Sequence, residues 1–147
     1  MASNSNSVET LVSFFQEELA AAQSYAQVIG KVEHTRARDK LRACGEDHER
    51  RVQLLRERLM QLGRTPPERE SRGAGFSRLP QLGSTDLSVT EGSLVQSMIE
   101  GEENELQGYE ARLPRLDKET RYFVESELLS AQRRTHAAVR ELQRSLH

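Results

Sequence analysis

The chain has little of what most function classes require. It contains one cysteine, Cys44, so no intrachain disulfide framework can form and no Cys pairs suggest zinc. Tryptophan is absent and aromatic residues make up 5% of the sequence, leaving mostly aliphatic side chains to form a core. No charge sign dominates: the net charge is -2, with acidic and basic residues interspersed, so no field stands out to recruit nucleic acid or a membrane surface. Arginine outnumbers lysine, but Arg64, Arg69, Arg72 and Arg78 alternate with Glu68 and Glu70, the pattern of a solvated surface. There is no Gly-rich phosphate loop after a strand, and no legible Ser, His and acid constellation. No apolar run is long enough for a signal peptide or membrane span. Met1 to Ser7 are small and polar and read as a disordered lead-in, and a cytoplasmic location is the default expectation.

What is present suits helices. A hydrophobic share of 35% beside a charged share of 30% fits rods that each bury one stripe and solvate the rest, and 147 residues fit one domain. Val8, Leu11, Phe15, Ala22, Ala26 and Ile29 fall at steps of three, four and seven, predicting a helix over 8–30 with Asn6 and Glu9 as a capping box and Gly30 as its stop. Thr35 is the expected cap of a second helix over 36–62, striped by Leu41, Cys44, Val52, Leu55, Leu59 and Leu62 and closed by Gly63 and Pro66. Residues 63–88 read as a connection rich in Gly, Pro and Ser. Ser88 with Glu91 predicts the start of a third helix over 89–113, striped by Leu94, Val95, Met98, Ile99, Leu106, Tyr109 and Leu113 and ended by Pro114. Asp117 is expected to cap a fourth over 118–146, striped by Val124, Leu128, Ala131, Ala138, Leu142 and Leu146.

Short connections make helices 1 and 2, and helices 3 and 4, antiparallel hairpins. The second helix is on the order of 40 Å long, whereas the 63–88 connection can extend to roughly 80 Å. It can therefore run back along the bundle as one long crossover. A plain up-down-up-down bundle with a floppy loop is the alternative.

Helix 1 also maps onto helix 3 at an offset of 84 residues: Phe14 with Met98, Phe15 with Ile99, Glu18 with Glu102, Gln23 with Gln107, Tyr25 with Tyr109 and Ile29 with Leu113. Both helices therefore carry Glu-x6-Tyr, two turns apart on the striped face. Around a turn centred near Glu33, Glu18 and His48 are equally distant and should be level. Around one near Arg115, so should Glu102 and Glu127, with Glu105 one turn from Glu102. Carboxylates and an imidazole gathered mid-bundle are costly unless they pair or bind a cation, and such ligands suit iron or manganese.

These residues resemble the ferritin-like superfamily, which includes rubrerythrin and bacterioferritin, over residues 8–146. The resemblance implies an all-α bundle of two hairpins joined by a long crossover. It also implies a di-iron site with one Glu from each of helices 1 and 3 and a Glu-x-x-His from each of helices 2 and 4. Glu18 with Tyr25 and Glu102 with Tyr109 match the single-Glu helices. The other two depart: Gly45 stands three before His48, and Ser130 three after Glu127, with His136 too far along. The implied ligand set is Glu18, His48, Glu102, Glu105 and Glu127, with Tyr25 and Tyr109 beside it. The expected metal is iron or manganese, or none if the site is degenerate.

Two functions stay open. One is a metal-binding protein of iron or oxidative-stress handling, with ferroxidase-like or peroxidase-like activity if it is an enzyme. The other is a metal-free bundle serving as a structural or interaction module. A homo-oligomer, dimer or larger, is expected, without membrane or nucleic-acid partners. The plain readings carry weight as well. A lone His on an apolar stripe is commonly a hydrogen-bonded core residue, acidic runs such as 100–105 are usually solvated, Glu127 sits at a stripe edge, and Cys44 is a small core residue with no mark of a nucleophile.

Overall fold

Caps and breakers set the ends of four helical rods, which the computed structural model describes over residues 5–68 and 90–145. The rods are α1 (Ser5–Ile29), α2 (Thr35–Gln61), α3 (Glu91–Arg112) and a fourth built of three consecutive segments: α4 (Lys118–Phe123), a π-helical stretch (Val124–Leu129) and α5 (Ser130–Ser145). No strand occurs among the described residues. The protein is thus all-α, as expected. Residues 69–88 of the expected crossover, and Leu146 of the fourth stripe, lie outside the described residues.

Local chemistry explains the ends, and in three places it differs from expectation. Residues 5–7, expected in the lead-in, are helical, and Ser7 is buried, its Oγ accepting from the Asp117 amide at 2.9 Å. Asn6 therefore lies inside α1 and does not cap it. The cap of α2 is His34, whose Nδ1 accepts from the Ala37 amide at 3.2 Å, one residue before the expected Thr35. For α3 the cap is Thr90, in a reciprocal box with Ser93 at 3.0 Å each way, in place of Ser88 and Glu91. Asp117 caps α4 as expected, accepting from Thr120 at 2.9 Å. At the end of α2, Gly63 takes φ 79°, and the Gly63 and Arg64 amides turn back to Met60 and Leu59. This is the Schellman closure that a left-handed glycine permits.

Contacts between rod ends fix their directions. Arg64, just beyond α2, pairs with Glu9 near the start of α1, while Glu91 at the start of α3 accepts from the Glu33 and His34 amides at the opposite end. Glu68 and Thr90 therefore stand towards opposite ends of the bundle, and α3 runs antiparallel to α1. Two apolar clusters fill the interior. One gathers Val28, Leu41, Val95, Met98 and Val139; the other gathers Leu11, Phe15, Leu55, Leu59 and Leu128. Each fully buried aliphatic or aromatic side chain in them contributes about 1.5–3 kcal/mol. Ala22 of the first stripe is buried as expected, whereas Ala26 is exposed and Tyr25 beside it is buried instead.

Candidate functional site

A layer of polar side chains lies within the bundle, and each rod contributes to it. Glu18 of α1 is one turn beyond Phe15 on the buried face, and Glu102 of α3 holds the matching position one turn beyond Met98 and Ile99. Glu105 follows at i+3 and is 7% exposed. On α2, His48 and Arg51 continue the stripe of Leu41 and Cys44 towards Leu55, and both are fully enclosed. The fourth rod supplies Gln132 and Thr135.

The layer is closely bonded. His48 donates from Nδ1 to Glu18 at 2.6 Å and from Nε2 to Glu102 at 2.7 Å, so both ring nitrogens carry protons. Arg51 donates from Nε to Glu18 Oε2 at 2.9 Å, from Nη1 to Thr135 Oγ1 at 3.1 Å and from Nη2 to Gln132 Oε1 at 3.0 Å. Its Nη2 is also 2.9 Å from Nδ1 and 3.4 Å from Nε2 of His48. An atom that near both nitrogens sits over the ring face, since in the ring plane it would overlap the carbon between them. The Gln132 amide donates to the Glu102 carboxylate at 2.6 Å and to its backbone carbonyl at 3.1 Å. Tyr25 donates to Glu102 and Tyr109 to Glu18, each at 2.5 Å, and Tyr25 stacks on His48 with ring centroids 5.3 Å apart.

Electrostatics follow from burial and these contacts. Burial alone would raise the Glu18 carboxyl, but Arg51 and His48 outweigh it and hold Glu18 well below the usual carboxylate range. Burial disfavours charged His48, yet Glu102 and Glu18 keep it protonated above its ordinary range. For Glu105 the help of Arg51 is outweighed. Burial, the adjacent Glu18 charge and a side-chain hydrogen bond to Glu18 push it well above 4.5, and its Oε2 lies 3.8 Å from His48 Nδ1. With a proton on Glu105, the cations Arg51 and His48 offset the anions Glu18 and Glu102. Burial, then Glu102, raises the Tyr25 phenol, and burial, then Glu18, raises that of Tyr109. Burial and Glu102 push the Cys44 thiol up to about 12, as fits a core residue and not a nucleophile.

Of the expected ligands, Glu18, His48, Glu102 and Glu105 converge, with Tyr25 and Tyr109 bonded to them. Glu127 does not: it is exposed within the π-helical stretch. The buried positions of that rod run Thr120, Val124, Leu128, Leu129 and Gln132, and the wider π turn within Val124–Leu129 advances the chain by more than 3.6 residues per turn. That shift carries Glu127 off the inward face that α-helical spacing predicted. The missing glutamate of α2 also has a physical cause. A Cβ on Gly45 would stand 3.1 Å from the Tyr25 Cβ, so this position is occupied by the packed tyrosine. Arg51, Gln132 and Thr135 were not expected. An arginine at i+3 from His48 and i−4 from Leu55, on an apolar stripe, was the readable signal for the first; the π register hid the other two.

Three donors suit a cation. One ligand atom each from Glu18, His48 and Glu105 lie within 4.8 Å of one another, all buried. This set fits one ion. It does not fit two, because the fourth rod brings an amide and a hydroxyl in place of a carboxylate and an imidazole, and a guanidinium lies among them. No family model, curated protein or solved structure matches the chain.

Proposed function

We propose that the chain is a ferritin-like bundle that binds one divalent cation, iron(II) or manganese(II), between Glu18, His48 and Glu105. The observation that carries this reading is Glu105: a carboxyl buried beside the Glu18 carboxyl, its Oε2 3.8 Å from the Nδ1 of the His48 imidazole. Oxygen-rich donors with one imidazole suit these metals. Three carboxylates, Arg51, a neutral His48 and a divalent ion together carry no net charge. The ion would therefore take the place of two protons, one on Glu105 and one on His48. Bound iron would supply one-electron redox chemistry with oxygen or peroxide. The chain's own groups would hold the site: Tyr109 and Arg51 fix Glu18, Tyr25 and Gln132 fix Glu102, and the apolar clusters exclude water. A one-ion centre points to metal binding in iron or oxidative-stress handling, and away from a di-metal ferroxidase.

The directions of the rods support the two-hairpin crossover arrangement that the resemblance implies. No helix among the described residues is long and apolar enough to cross a membrane. We further propose a cytoplasmic homo-oligomer, for which sedimentation of the purified chain is the test.

A metal-free interaction module is the second reading, favoured by the bonding of Arg51 and His48 to Glu18 and Glu102. Metal analysis of protein from iron- or manganese-supplemented cells separates the two. One equivalent per chain, held more weakly in Glu105→Gln, is expected. Absence of bound metal in the wild type, with no metal-dependent rise in Tm, would leave the second reading.

A further inference from the structure

The Arg51 guanidinium has an unusual seat. It is 1% exposed, and its donors meet three oxygens: Glu18 Oε2 from α1, and Gln132 Oε1 and Thr135 Oγ1 from α5, at 2.9 to 3.1 Å. A carboxylate, an amide carbonyl and a hydroxyl, each on a different nitrogen, surround the guanidinium head, and they are the ligand types of a hard cation. A carboxylate of Asp47 stands at the edge of this cage, 3.4 Å from Thr135 Oγ1. The neighbouring group of Glu18, His48 and Glu105 shares Glu18 with it.

We propose that this oxygen cage is a second cation seat whose resident occupant is the tethered guanidinium of Arg51, which limits the centre to a single exchangeable ion. The cage stands on its own contacts; only its place as the second seat rests on the one-ion reading above. Arginine is suited to the role because it stays charged at any pH the fold meets and can satisfy several acceptors from one planar head. A metal in this seat would meet a fixed positive charge across a short low-dielectric gap, where repulsion is strong. Removing that charge while keeping the three oxygens should open the seat. Arg51→Ala does so, and Arg51→Lys keeps a cation in reach of it.

The test uses the full chain loaded with manganese(II), with bound metal counted by elemental analysis after removal of free ion. Arg51→Ala is expected to hold one more manganese per chain than the wild type, and Arg51→Lys the wild-type number. Low-millimolar guanidinium, but not equal sodium chloride, should displace the extra ion. Equal counts in Arg51→Ala and wild type overturn the proposal, as does an extra ion that guanidinium leaves in place. If Arg51→Ala does not fold, Arg51→Gln, of similar reach and no charge, is read in the same way. The wild-type count tests the one-ion reading separately: none in the wild type with one in Arg51→Ala keeps this inference and removes that reading.

Discussion

Tyr25 on α1 donates its hydroxyl to Glu102 on α3, and the matched pair reverses the direction, with Tyr109 on α3 donating to Glu18 on α1. Each tyrosine thus serves the carboxylate of the opposite hairpin. The repeat of Glu-x6-Tyr is a crossed lock between two halves, not two separate pairs. It joins the hairpins where burial makes each hydrogen bond to a charged group matter most.

Loss of either hydroxyl should therefore weaken the fold to a similar degree. Tyr25→Phe and Tyr109→Phe each remove one bond to a buried charge, about 1.5–3 kcal/mol of stability. Urea unfolding of the two variants measures it. An unchanged midpoint in either would show that its carboxylate had another donor to turn to.

Glu127 supplies the contrasting case. Because it is exposed, Glu127→Ala should change stability by no more than about 0.5 kcal/mol. Glu18→Gln breaks the pair with Arg51 and leaves a buried guanidinium short of its anion, a loss of roughly 3–5 kcal/mol. A large effect at Glu127 would place its side chain inside.

These two glutamates also mark how far the sequence could be read. Helical stripes gave the rods because 3.6-residue periodicity survives wherever the backbone is regular, and the offset of 84 residues placed Glu18 and Glu102 on buried faces. Level counting about a tight turn brought His48 to Glu18 for the same reason. It failed at Glu127 because a π-helical stretch adds to the turn and leaves no composition signal in Val124–Leu129. Arg51 was legible in principle as a charge on an apolar stripe. Its partners Gln132 and Thr135 were not, since their inward direction depends on the same π register.

Gly45 allows a direct test of the altered motif. Any side chain there presses on Tyr25, whose Cβ would be 3.1 Å away. Gly45→Ala should be destabilising by about 1–3 kcal/mol, as overpacking of a filled core is. Gly45→Glu, which restores the Glu-x-x-His spacing, should be worse, because a longer side chain must displace the tyrosine that bonds Glu102. Thermal melts of the pair decide it, and a stable Gly45→Glu protein would mean that Tyr25 moves aside freely.

The metal-free protein should lose stability as pH rises. Glu105 has its folded value raised above 4.5 and His48 above 6.5, so both hold protons in the folded state that the unfolded chain releases sooner. Their stabilising effect is complete below the unfolded values and is lost as pH climbs through the folded ones. Glu18 works the other way. Its folded value is depressed, so its contribution is complete above 4.5 and fades only in acid. The Tm of chelator-treated protein should thus fall as pH rises above 6.5, and Glu105→Gln, which cannot lose a proton, should flatten the fall. A rising or level Tm across that range in the wild type would mean that Glu105 and His48 are deprotonated in the fold without penalty.

The same two protons give the metal reading a quantitative signature. If a divalent ion binds where Glu105 and His48 are protonated, each binding event releases protons, and affinity must rise with pH. The expected slope approaches two decades of affinity per pH unit while both groups are protonated in the free protein, and it should drop by about one in Glu105→Gln. Calorimetric titration with manganese(II) in buffers of different ionisation heats reads proton release directly. Binding without proton release would place the ion elsewhere, at a surface carboxylate group whose protons are already gone at neutral pH. Release that persists unchanged in Glu105→Gln would assign the protons to other groups and leave Glu105 out of the ligand set.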